Sequence, residues 1–201
     1  MIRVLLADDQ DLVRGALAAL LELESDLSVV AETRRGDDVV RLAREANVDV
    51  ALLDIEMPGM SGIDAAAALK LELPKVRSLI VTTFGRPGYL RRALDAGASG
   101  FVVKDTPAEE LAAFVRTVHA GGRVIDPALA AESLSIGESP LTQREAEVLA
   151  AASDGASVRE LAARLHLSEG TVRNHLSSAI GKTGAENRLS ASRIAADRGW
   201  L

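Results

Sequence analysis

Five short runs of aliphatic and β-branched residues, at 2–7, 27–31, 48–53, 78–82 and 100–103, punctuate the first half of this chain. They are apolar almost throughout instead of alternating with polar residues, which is the character of strands buried on both faces. Parallel strands cannot be joined by a tight turn, so each needs a crossover, and a helix lying on the sheet supplies it. The intervening sequence fits. Val13, Ala16, Leu17, Leu20 and Leu21 recur at helical spacing, as do Val39, Val40, Leu42 and Ala43. A last helix over 107–120 carries Leu111, Phe114, Val115 and Val118, and Gly121-Gly122 ends it. The pattern predicts an α/β domain over residues 1–122, a five-stranded, doubly wound parallel sheet. A linker of low-propensity, Pro- and Ser-bearing sequence is expected over 123–138.

Residues 139–201 contain no strand candidate. Thr142-Gln-Arg-Glu145 and Ser157-Val-Arg-Glu160 both read as capping boxes, and Ser168 as a third helix N-cap. A helix ending near Leu165, a short polar break and a new helix from Glu169 or Gly170 to about Thr183 give helix-turn-helix spacing. Val158, Leu161, Leu165, Leu167 and Val172 would be its packing set. The net charge of −6 argues against a nucleic-acid binder only as an average. Residues 139–201 hold 8 Lys and Arg against 7 Asp and Glu, whereas residues 1–138 hold 15 against 22. Two unlike domains are joined.

Composition removes other classes. Aromatic residues are 2% of the chain, too few for an aromatic-lined ligand pocket or a base-stacking platform. The absence of cysteine excludes disulfides, thiolate zinc sites, iron–sulfur clusters and thiol catalysis, and fits a cytoplasmic location. No run approaches the ~18 apolar residues of a membrane span, so direct membrane insertion is not expected. His166 and His175 lack companion ligands and read as surface or packing residues.

Chemistry concentrates at the strand ends. Asp8 and Asp9 follow the first strand and Asp54 the third, at the edge of an open α/β sheet where ligands bind. Three carboxylates there would repel one another unless a divalent cation neutralised them, and an all-oxygen set suits Mg²⁺. Thr82 after the fourth strand and Lys104 after the fifth add a hydroxyl and an ammonium. Together these groups would stabilise charge on a phosphoryl group, with Asp54 as nucleophile forming an aspartyl phosphate. The loop at Met57-Pro58-Gly59 would turn the backbone carbonyl of Glu56 toward the metal. Taken singly, each group has a bland reading: a helix cap, a solvated lysine, a β-prone threonine. Their common placement at one end of four different strands is the signal.

The motifs ADD at the N-terminus, LLDIEMPGMSG from Leu52, VTTF from Val81 and FVVKD from Phe101 resemble the receiver domain of two-component response regulators, with its flavodoxin-like fold. The resemblance implies Asp54 as phosphoacceptor and Asp8 and Asp9 as the acidic pair. It implies Thr82 as switch hydroxyl, Lys104 as phosphate partner and Phe101 as a switch aromatic moving from exposed to buried. Asp105 departs from the Pro found in many receivers. LTQREAEVL, SVRELAARLHLSEGTVRNHL and AENR are similar to the four-helix DNA-binding domain of NarL/FixJ (LuxR-type) regulators. That likeness implies base contacts from Arg173, Asn174 and Ser177, with Thr171 and Lys182 at the DNA backbone. TTFGRPGYLRRAL and the terminal RGWL look like DesR-type regulators of membrane-lipid desaturation. A membrane-bound sensor histidine kinase, promoter DNA and a second copy on phosphorylation are the implied partners, and no enzymatic turnover of a released substrate is expected. Two rivals fit less well. A phosphatase of the haloacid dehalogenase class needs Asp two residues beyond its nucleophile, and position 56 is Glu. An acyl-lactone receptor wants a Trp/Tyr-rich pocket, and residues 1–138 hold only Tyr89.

Overall fold

The computed structural model describes residues 1–83, 87–127, 129–131 and 139–201. It forms two compact units, an N-terminal one built on a sheet and a C-terminal one of helices. Phe84, within the VTTF motif, and residues 128 and 132–138 of the expected linker lie outside the described residues.

Among the described residues, six parallel strands make the sheet: β1 (Ile2–Ala7), β2 (Leu27–Thr33), β3 (Val50–Leu53), β4 (Arg77–Thr82), β5 (Gly100–Val103) and β6 (Val124–Ile125), in the order β2-β1-β3-β4-β5-β6. Five of these are the expected runs. The sixth corrects the five-stranded reading: Val124 and Ile125 pair with Gly100 and Phe101, although the surrounding sequence reads as linker. Two residues are too few for a periodicity, and only the exposed edge of β5 recruits them. β3 is shorter than expected because the Val48 amide donates to the Ala43 carbonyl and closes the preceding helix.

The N-terminal helices are α1 (Asp11–Glu22), α2 (Val39–Glu45), α3 (Gly62–Glu72), α4 (Pro87–Asp95) and α5 (Ala108–His119). Alternation along the strands sends Val4, Leu6, Leu52, Val81 and Val102 into one core with Leu21 of α1 and Leu111, Val115 and Val118 of α5. Leu20, expected on the packed stripe of α1, is instead 40% exposed. Arg116 of α5 clamps Asp26 through two nitrogens and also reaches Glu24, tying the helix to the turn after α1.

The C-terminal helices are α6 (Gln143–Ala151), α7 (Val158–Leu165), α8 (Glu169–Thr183) and α9 (Arg188–Asp197). Both expected capping boxes are formed, and Ser168 caps α8 by accepting from the Thr171 amide. Leu161 and Val172 are fully buried in this core, with Val158, Leu165 and Leu167 packed against it. His166 takes the left-handed conformation that ends α7, a position usually given to glycine. Among the described residues, no helix is long and apolar enough to cross a membrane.

Candidate functional site

Parallel crossovers leave from β1 to one side and from β3 to the other, so the ends of these neighbouring strands border the crevice where ligands sit in open α/β sheets. The ladder continues one residue past each strand. The Asp8 amide donates to the Thr33 carbonyl (3.0 Å), Asp54 to Ala7 (2.8 Å) and Lys104 to Thr82 (2.7 Å). Backbone pairing therefore carries three side chains that are distant in sequence to one edge.

There, Lys104 Nζ lies 2.7 Å from Asp8 Oδ2 and 3.1 Å from Asp54 Oδ2. All three side chains are buried. Each carboxylate holds its other oxygen on a backbone amide: Asp8 Oδ1 accepts from Gln10 (2.9 Å) and Asp54 Oδ1 from Ile55 (2.9 Å). Asp9 is exposed, yet carboxylate oxygens of Asp8, Asp9 and Asp54 all lie within 4.8 Å of one another. An all-oxygen cluster of this spacing fits a hard divalent cation. Arg14, absent from the expected set, donates to the Asp8 backbone carbonyl (2.8 Å) and also bonds Asp11 and Glu32, which anchors the loop bearing the acidic pair.

Burial raises the Asp54 pKa above the ordinary carboxyl value; the Lys104 charge opposes the shift and the Asp8 charge adds to it. Burial works against the Lys104 charge, but the hydrogen bond to Asp8 and the pull of Asp54 outweigh it, so its pKa is raised. A more basic carboxylate beside a firmly charged ammonium suits a nucleophile that receives a phosphoryl group.

Thr82 is buried at the end of β4, in register with Val103. Glu56 is exposed in the loop after β3, and its carboxylate is not in the cluster. Phe101, the expected switch aromatic, is fully buried in this structure. Beside it, β6 pairs Ile125 with Phe101 and makes β5 an interior strand. Sequence reading also missed Gly62. Its Cα faces the Asp54 carbonyl so closely that a Cβ would stand 1.9 Å from that oxygen. A signal was present, since Ser61-Gly-Ile-Asp64 is a helix-start pattern and Ser61 does cap α3.

In the second unit, Arg173, Asn174 and Ser177 are exposed on α8. Arg173 pairs with Glu169 one turn back (2.6 Å), both largely in solvent. Thr171 is half-buried, its hydroxyl 2.8 Å from the capping Ser168 hydroxyl. Lys182 differs from the rest, because its Nζ lies 2.6 Å from the buried carboxylate of Glu145.

Residues 4–116 match the family described as response regulator receiver domain, and residues 139–195 match bacterial regulatory proteins of the luxR family. The chain is a response regulator. Its family consists of DNA-binding transcription regulators and not of conventional enzymes. This response regulator is 42% identical to the transcriptional regulatory protein DesR of Bacillus subtilis over the full length of both chains. It is also 42% identical to the response regulator RamR of Streptomyces coelicolor, covering all of this chain and 98% of that one. Among solved structures, the response regulator ChrA of a heme-sensing two-component system is 34% identical over 100% of this chain and 98% of that one, with a TM-score of 0.60. RcsB in complex with DNA is 25% identical, covers 98% of both chains and has a TM-score of 0.69.

Proposed function

We propose that this response regulator accepts a phosphoryl group on Asp54 from a membrane-bound sensor histidine kinase, forms a homodimer and binds promoter DNA through α8. The observation that carries the first step is the meeting of Asp54 Oδ2 with Lys104 and the acidic pair at one strand edge. An oxygen of the Asp54 carboxylate attacks phosphorus, the bond from phosphorus to the donor's leaving nitrogen or oxygen breaks, and the leaving group takes a proton from solvent. Lys104 would follow the incoming phosphoryl oxygens, and Thr82 supplies the neighbouring hydroxyl. Asp8, Asp9 and Asp54, with the backbone carbonyl of Glu56, would hold Mg²⁺, which when bound neutralises charge on the phosphoryl oxygens.

The second step follows from charge. A DNA-binding unit with a local charge of only +1 has little counterion release to draw on. Two such units joined in a dimer bind paired half-sites with a high effective concentration, which strengthens binding without any new base contact. RcsB, solved in complex with DNA, supports DNA binding as the role of the second unit, and the helix-turn-helix spacing makes α8, with Thr171, Arg173, Asn174 and Ser177, the element to enter the groove. Genes of membrane-lipid desaturation are the first regulon to test, on the likeness to DesR-type regulators, and RamR at equal identity supplies the alternative.

Incubation with Mg²⁺ and acetyl phosphate should add one phosphoryl group by intact-mass spectrometry, and Asp54→Ala should add none. Undiminished labelling of the variant would remove Asp54 from its role.

A further inference from the structure

The polar residues of α8 fall into two arcs. At 3.6 residues per turn, Val172, Leu176, Ala179 and Thr183 share one side, and all four are buried. Arg173, Asn174 and Ser177 spread over the arc on one flank, whereas Ser178 and Lys182, one turn apart, lie farther round toward α6. There they meet a single group, the carboxylate of Glu145. Glu145 Oε1 accepts from the Ser178 hydroxyl (2.6 Å), and Oε2 accepts from Lys182 Nζ (2.6 Å) and from the Thr142 amide (2.7 Å).

Helix capping explains only part of this arrangement. A capping box needs Glu or Gln at the third helical position, and an uncharged Gln would serve. The charge of Glu145 also suits the N-terminal turn of α6, but the cation that meets it lies on α8. Its side chain is 7% exposed while that of Lys182 is 36% exposed, so removal of the ammonium would strand a buried carboxylate. Lys182 is the first cause, and Ser178 the second, that pulls the Glu145 pKa down to about 2. A lysine held in this way brings no uncompensated charge to a phosphate. Base readout, in turn, needs donors placed to within about 0.5 Å, which packing of the buried side of α8 alone does not guarantee.

We propose that Glu145, Ser178 and Lys182 form a lock that sets the rotation of α8 against α6, with Lys182 a positioning residue for DNA readout and not a phosphate contact. The inference rests on the DNA-binding reading above. It is tested with the full-length protein, beryllofluoride and Mg²⁺. The probes are a 30-base-pair duplex that the wild type enriches from a random pool and a second duplex of random sequence, titrated at several KCl concentrations. Lys182→Met and Glu145→Gln should each weaken binding to the enriched duplex about tenfold and leave the random duplex and its salt slope unchanged. The double variant should be no weaker than the worse single one. Ser178→Ala, which leaves the ion pair in place, should cause a smaller loss of the same kind. The lock is overturned if Lys182→Met weakens both duplexes equally and lowers the salt slope by about 0.9, the mark of one lost phosphate contact. It is equally overturned if Glu145→Gln tightens binding by freeing Lys182. A wild type that enriches no duplex would count against the DNA-binding reading instead. The lock is then judged by a double-mutant cycle of Glu145→Gln and Lys182→Met in urea unfolding, where additive effects refute it.

Discussion

Replacing Glu145 by Gln removes one charge from the C-terminal core while leaving an N3 side chain that can still complete the capping box. The Glu145 carboxyl titrates near 2 in the folded protein because Lys182 and then Ser178 bond its ionised form. Unfolded, it returns to the ordinary glutamate value of about 4.3. The folded pKa is the lower one, so the contribution is fully present above the unfolded value and is lost as the pH falls through the folded value. At about 1.4 kcal/mol per pH unit, the difference is worth about 3 kcal/mol at pH 7. That figure is an upper bound, since the partly exposed Lys182 is screened by solvent. By pH 3 the contribution should fall to about 1.4 kcal/mol. Trp200 is the only tryptophan of the chain and packs against the C-terminal core, so its fluorescence reports on this unit. With a urea m-value of about 1.5 kcal/mol/M, Glu145→Gln should lower the Trp200 midpoint by up to about 2 M at pH 7. The gap should narrow by roughly half at pH 3. Equal midpoints at pH 7, or a gap as wide at pH 3 as at pH 7, would refute the reasoning.

Two further outcomes concern the receiver. A Cβ at Gly62 would collide with the Asp54 carbonyl, so Gly62→Ala should slow acetyl phosphate labelling at least tenfold while circular dichroism shows the fold retained; wild-type labelling would show that the loop yields without moving Asp54. Burial raises the folded pKa of Asp54, so its charge costs stability at neutral pH, a cost that vanishes as the pH falls through the raised value to below the unfolded one. Calorimetry of Asp54→Asn at pH 7 should therefore show the receiver melting a few degrees higher, with the gain shrinking on acidification, and a lower melting temperature would contradict the assignment of burial as the dominant cause.

Much of this protein was legible because its signals are local. The five apolar runs marked strands through burial on both faces, and Ser157 and Glu160 announced a helix start because a cap is satisfied within four residues. The topology rule for open sheets then sent Asp8, Asp54 and Lys104 to one edge before any contact was known. Tertiary structure decided what depended on a partner far along the chain. Val124 and Ile125 became a strand only because β5 offered an unpaired edge. Gly62 mattered because the Asp54 carbonyl lies against it, a close approach that no spacing encodes. Lys182 read as one polar residue of a DNA-facing helix until the structure placed a buried carboxylate from position 145 beside it. Periodicity and caps report on a residue's own segment, whereas the pairing of a charge depends on which segments the packed core brings within reach.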